Sequence, residues 1–199
     1  MAEEDTIPKL NNEGIKRGQA ISRALFYYAR AVQNSLLVGV SAIGDQQVSS
    51  TEQTVASINQ MLGHVTTYPN NGITYQASDM MLADHPDTGF NNKSKARSRA
   101  GAQIFLSEND PTPHWNGTIL TTAQIIKNIM SSAVEVELGA LYITSKEMVP
   151  IRQTLIEMGW KQPPYLIQTD NSTAAGVIKK TIIQRKSKSM DLRFHWIRC

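Results

Sequence analysis

Three acidic residues, Asp87, Glu137 and Asp170, stand where carboxylates could do metal-assisted chemistry. Asp87 follows Met80, Met81, Leu82 and Ala83, an apolar start that turns polar through Asp84, His85 and Pro86. A short apolar run bounded by turn residues suits a buried strand, which puts Asp87 near the strand's open end. Glu137 falls early in a long helical pattern, and Asp170 falls where the run 165–169 gives way to a helix. If the first and fourth strands are neighbours, the three acids could converge. Gathered carboxylates repel one another and require cations, and hard oxygen donors favour Mg²⁺ or Mn²⁺. Two such ions about 3.5–4 Å apart suit in-line displacement at phosphorus. One prepares the attacking hydroxide and the other stabilises the leaving oxygen. Each acid also has a plainer role open to it: Asp87 in a turn, Glu137 on an exposed helix face, Asp170 as a helix N-cap.

The elements that must position these acids follow from periodicity. Residues 15–32 place Ile15, Ile21, Leu25, Tyr28, Ala29 and Val32 at helical spacing. A second apolar segment covers residues 35–43, and a third helix is expected after Ser49, whose spacing to Glu52 fits a capping box. Residues 68–72 then turn the chain. Beyond them the pattern predicts short strands at 73–75, 80–90, 100–107 and 125–132, with His114, Trp115 and residues 118–120 extending the sheet. Pro86 would be awkward at a central ladder position unless its missing donor falls at a bulge or strand end. Residues 133–158 read as a long helix that Pro150 should kink and Gly159 should end. A strand at 165–169, a short helix at 173–180 and a final helix from Met190 complete the order. Glu135 and Glu137 compete for the inward position; about 200° apart on a helix, they cannot both face one ion. Glu137, next to Leu138 and the small residues after it, is preferred. The fold class is therefore a mixed α/β sheet with helices on its faces, after a helical segment. The expected divisions are a disordered tail at 1–12, helices at 13–72 and the mixed domain at 73–199.

The chain has 199 residues, 41% of them hydrophobic, with a formal charge of +3 and a pI near 9.0. The first residues are acidic, and the C-terminal stretch is basic, which suggests a polyanion there or simply a solvated face. One cysteine, Cys199, excludes an internal disulfide. Zinc-ligand spacing, a signal pattern and a bilayer-length apolar run are all missing from the sequence. The expectation is an intracellular chain, cytoplasmic or nuclear, without membrane contact.

Four segments carry a resemblance. The run from Ser131 to Leu141, Ser-Ser-Ala-Val-Glu-Val-Glu-Leu-Gly-Ala-Leu, resembles the Ser-Ser-Thr-Glu-Ala-Glu-Tyr-x-Ala-Leu signature of the ribonuclease H domain of Copia-type retrotransposon polyproteins. Thr169-Asp170-Asn171-Ser172-Thr173-Ala174-Ala175 resembles the family's Cys-Asp-Asn-x-x-Ala segment. His85-Pro86-Asp87-Thr88-Gly89-Phe90 stands where the family has Tyr-Ser-Asp-Ala-Asp-Trp. The run from Lys188 to Arg198 is similar to Lys-His-Ile-Asp-Val-Arg-Tyr-His-Phe-Ile-Arg. Upstream, residues 24–30 resemble a Leu-Leu-Tyr-Leu-Ala segment at the end of the family's reverse transcriptase.

The resemblance implies a ribonuclease H fold, cleavage of the RNA strand of RNA–DNA hybrids, and Asp87, Glu137 and Asp170 as ligands of Mg²⁺ or Mn²⁺, two ions in all. Gly89 replaces the second acid of the first motif, and Ser189 replaces a histidine. The family's last strand and fourth acid would lie beyond Cys199; Asp191 matches a helical acid instead. A hybrid substrate would meet Lys93, Lys95, Arg97, Arg99, Lys186 and Lys188 through its phosphates, in a salt-dependent way. The rest of a Pol polyprotein is a further expected partner. The alternative is an inactive, truncated remnant that binds nucleic acid. A third reading makes residues 13–67 a protein-interaction module.

Overall fold

The computed structural model describes residues 7–93, 97–164, 166–167, 169–179, 181 and 197, with the backbone alone at 91–93 and 166. The chain divides into two compact units, and the boundary falls between Ile73 and Thr74.

The first unit is helical: α1 (Asn12–Ala31), a 3₁₀ turn, α2 (Leu37–Gly44), a second 3₁₀ turn and α3 (Glu52–Thr67). Asn11 caps α1 by accepting a hydrogen bond from the Gly14 amide at 2.8 Å. Leu25, Ala29, Leu36, Leu37, Val40, Ile43 and Ile58 form its buried apolar residues. The capping box that starts α3 uses Thr51 and Thr54 rather than Ser49 and Glu52. Thr51 is the residue with extended backbone at the helix entry, whereas Ser49 belongs to the preceding 3₁₀ turn. Before α1, Lys9 bridges to Thr51, and the Leu10 amide donates to the Ser50 carbonyl at 3.0 Å.

The second unit contains β1 (Met81–Lys93), β2 (Arg97–Ser107), β3 (Thr118–Ile126), α4 (Ala133–Glu157), β4 (Leu166–Ile167) and α5 (Ser172–Ile178). The strands form one mixed sheet in the order β3-β2-β1-β4. β1, β2 and β3 are antiparallel neighbours, and β4 runs parallel to β1 with Ala83 opposite Leu166 and Asp84 opposite Ile167. The α/β class expected from the sequence holds, and this architecture is consistent with a ribonuclease H-like fold.

Several elements differ from expectation. Residues 73–75 make no strand. The Asn116 side chain holds the Gln76 backbone instead, accepting from its amide at 2.8 Å and donating to its carbonyl at 3.0 Å. Tyr75 donates its hydroxyl to the Thr118 carbonyl. The third strand is one continuous run starting at Thr118, and residues 127–132 form the connection to α4. Pro150 lies inside α4 without ending it. Gly159, at φ 94°, follows the helix in the left-handed region that suits glycine. The final helix expected from Met190 lies outside the described residues, apart from Ile197.

Strand alternation assigns the faces. Leu82 and Ile104 pack with Met148 and Leu155 of α4, so the even-numbered residues of β1 face that helix. Leu82 donates its amide to the Gln162 side chain at 3.0 Å, so the even-numbered amides point away from β2. Pro86 is even. Its missing donor therefore falls on the β4 side, beyond the two residues that pair there, and the ladder to β2 needs nothing from it. Gln162 closes the same edge by also donating to the Met80 carbonyl at 2.8 Å.

Candidate active site

The N-terminus of α4 is built tightly. Ser132 accepts from the Glu135 amide at 3.2 Å. The Glu135 carboxylate turns back to accept from the amide and hydroxyl of Ser131, both at 2.7 Å. Two residues on, Glu137 points the other way, into the protein, and is 3% exposed. Both its oxygens are engaged by strand ends. Thr88 of β1 donates its hydroxyl to Oε2 at 2.9 Å. Thr169, just past β4, donates to Oε1 at 2.8 Å. Thr169 is itself oriented by accepting from the Asn171 amide at 3.2 Å. Glu137 thus ties together the ends of two strands whose direct ladder is only two residues long. Hydrogen bonds from hydroxyls to a buried carboxylate are among the stronger kinds, because the acceptor is charged.

Asp87 and Asp170 are the immediate chain neighbours of these threonines, and both are exposed. Asp87 accepts from the Thr88 amide at 2.7 Å. The register of β1 on β2 is unbroken from Met81 to Gly89, so Asp87 projects from the face opposite Thr88 and Glu137. Asp170 does not cap α5; Asn171 does, accepting from the Ala174 amide at 2.9 Å. The structure therefore brings the neighbours of Asp87 and Asp170 to the Glu137 carboxylate, while Asp87 itself lies on the other face of β1. Among the described residues, no group of three or more His, Cys, Asp or Glu side chains is placed to hold a metal ion. All-oxygen donors suit Mg²⁺ or Mn²⁺ in kind. Strand parity puts the Asp87 side chain on the face of β1 away from Glu137.

A further acid lies on the same strand as Asp87. Asp84 sits on the α4 face of β1, 0% exposed, and among the described residues neither carboxyl oxygen has a hydrogen-bond partner. Burial pushes its pKa from 3.8 up to about 8, because a charge removed from water without a partner is costly. It is therefore mostly protonated at neutral pH. Its signal was its parity with Leu82 and Pro86, which puts it on their face.

The basic residues divide. Arg97 is partly exposed at the start of β2. Arg99, expected to meet phosphate, lies two residues into that strand at 5% exposure. Its burial removes it from the outer surface. Lys93 ends β1 opposite Arg97. Lys95, Lys186 and Lys188 lie outside the described residues.

A mixed sheet whose central strand and edge strand are joined through an inward glutamate defines the class of this unit. The chain is similar to a retrovirus-related Pol polyprotein from transposon TNT 1-94 of Nicotiana tabacum, 32% identical over 126 residues. The match covers 63% of this chain and 9% of that polyprotein. It supports an origin in a retrotransposon Pol polyprotein. No family model matches the chain, and no solved structure matches it. No described helix is long and apolar enough to cross a membrane.

Proposed function

We propose that the second unit is a ribonuclease H-like domain of a retrotransposon Pol polyprotein, acting on the RNA strand of RNA–DNA hybrids. The observation that carries this reading is Glu137. It is buried at the ends of β1 and β4 and hydrogen-bonded to the residues next to Asp87 and Asp170. The similarity to a Pol polyprotein supports the same reading. The reaction is hydrolysis of a phosphodiester, for which Mg²⁺ or Mn²⁺ is the cofactor that an acidic oxygen set takes. The chain's own part is to fix Glu137 between the two threonines and to leave their chain neighbours Asp87 and Asp170 exposed to solvent.

A second reading, hybrid binding without turnover, is favoured by the placement of Asp87 on the face of β1 opposite Glu137. The two readings separate in one experiment. A hybrid labelled on its RNA strand is incubated with the full chain and Mg²⁺ or Mn²⁺. The nuclease reading expects RNA fragments that disappear in Glu137→Gln and Asp170→Asn. Saturable, salt-sensitive binding with the RNA intact would replace it with the second reading.

A further inference from the structure

A helix that buries one side on a sheet normally turns charged and polar residues outward. On α4, Leu141, Met148 and Leu155 mark the buried line, and the outer side of the second half is apolar instead. Val149 is 50% exposed and Ile156 38%; Met158 and Trp160, just past the helix end, are 66% and 43% exposed. At about 100° per residue, Lys146, Val149, Gln153, Ile156 and Glu157 fall within one arc of roughly 100°. All five are exposed. Charge stands only at the two ends of that arc, on Lys146 and Glu157, and Gln153 between them is neutral. Along the axis Lys146 and Glu157 are about 16 Å apart, too far to pair within one helix. Glu157 is steadied by accepting from the Gln153 side chain at 3.0 Å, and the Lys146 ammonium lies over the Tyr142 ring, 5.7 Å from its centroid. Contiguous exposed apolar surface rimmed by charge marks an interaction site.

The two charges identify the partner. Both lie on the same flank of the apolar strip, about 50–70° from its centre. Flanking charges set the partner and direction of a helix pair: like flanks meet when the helices run antiparallel, opposite flanks when they run parallel. A second α4 laid antiparallel, with the two-fold axis beside Arg152 and Gln153, sets Val149 of each copy opposite Ile156 of the other. Lys146 then falls within about 3 Å along the axis of facing Glu157 of the other copy, at both ends of the seam. Trp160 of each copy closes the seam beside Lys146 of the other, where a ring face suits an ammonium. We infer that the chain forms a two-fold dimer through the outer side of α4, with the same strip used by both copies. A single helix pair buries less than the roughly 800 Å² per partner of a standard interface, so the dimer is reversible and its dissociation constant is micromolar. Glu137 lies about 23 Å from the two-fold axis along the helix. Each copy therefore keeps its strand-end carboxylate clear of the seam, and the dimer does not depend on what that site does.

The test is sedimentation equilibrium of the full chain over about 1–200 μM, because a dimer's population follows protein concentration. A reducing agent keeps Cys199 from cross-linking copies. Each variant alters exposed positions only, and its fold is checked by circular dichroism. Wild type should pass from monomer to dimer across the range. Val149→Glu places a charge in the apolar seam and should weaken association about tenfold or more. K146E and E157K each set two like-charged pairs face to face and should each weaken it about fivefold or more. The double variant K146E/E157K exchanges the signs and should return to within about threefold of wild type, which separates a charge pair from a general surface effect. An equimolar mixture of the two single variants should associate more tightly than either alone, because every facing pair is then opposite in sign. A chain that stays monomeric to the top of the range overturns the inference. So does a dimer that Val149→Glu leaves intact, or a charge exchange that fails to recover what the single variants lose.

Discussion

Replacing Asp84 with asparagine should make the second unit more stable, and increasingly so as the pH rises. The carboxyl titrates at 3.8 when exposed and near 8 in the folded protein. Between those values the native state holds a proton that the unfolded chain has released, so stability falls with rising pH. The loss is absent below about pH 4 and complete above about pH 8. Each pH unit costs roughly 1.4 kcal/mol. From about pH 5.5 to pH 8 that is 2.5 units, so the penalty grows by about 3 kcal/mol. That is a large share of the 5–15 kcal/mol on which a folded domain typically rests. Asparagine has nearly the same shape and cannot ionise. Its unpaired amide costs something too, but equally at every pH. The assay is urea unfolding of the full chain at both pH values, followed by tryptophan fluorescence. All three tryptophans, Trp115, Trp160 and Trp196, lie after residue 73, so the signal reports the second unit. The gap between Asp84→Asn and wild type should widen by about 3 kcal/mol on going to the higher pH. A gap that stays constant would show that Asp84 finds a partner or water, and would refute the reasoning.

Other substitutions test the frame around the site. Thr169→Val removes a hydroxyl from a buried carboxylate and should cost about 2 kcal/mol in urea unfolding, while Thr169→Ser should restore it. Gln162→Ala breaks both bonds to the edge of β1 and should cost about 2 kcal/mol, with faster hydrogen exchange at the Leu82 amide. At Gly117 an added Cβ would come within 2.6 Å of the Thr74 carbonyl and 2.5 Å of the Tyr75 ring. Gly117→Ala should therefore lower stability by about 1–3 kcal/mol and expose residues 74–80 to protease.

The order of elements was legible because their apolar periods differ. Residues 133–157 keep a helical repeat through Pro150, and the short apolar run at 80–83, bounded by turn residues, suits a strand. The opposed directions of Glu135 and Glu137 also followed from helix geometry alone. What sequence could not show were contacts between distant side chains and backbone. Gln162 acts as a piece of strand against Met80 and Leu82, and Asn116 does the same for Gln76, yet neither residue type announces it. Face assignment was the costlier gap. Asp84 and Asp87 are three residues apart and so lie on opposite faces of one strand; until Leu82 was seen against Met148 and Leu155, nothing said which face met α4. The apolar pattern starts the second strand at residue 100, whereas β2 begins at Arg97, because pairing of Arg99 with Gly89 and Ile125 extends the ladder through charged residues.

The central claim concerns what the second unit does to a hybrid. Its most direct test is a time course on a duplex with each strand labelled separately, in Mg²⁺, with wild type and Glu137→Gln side by side. The account predicts fragments from the RNA strand only, at a rate that Glu137→Gln reduces to background. An intact RNA strand at saturating protein, or equal cutting by the variant, would contradict it.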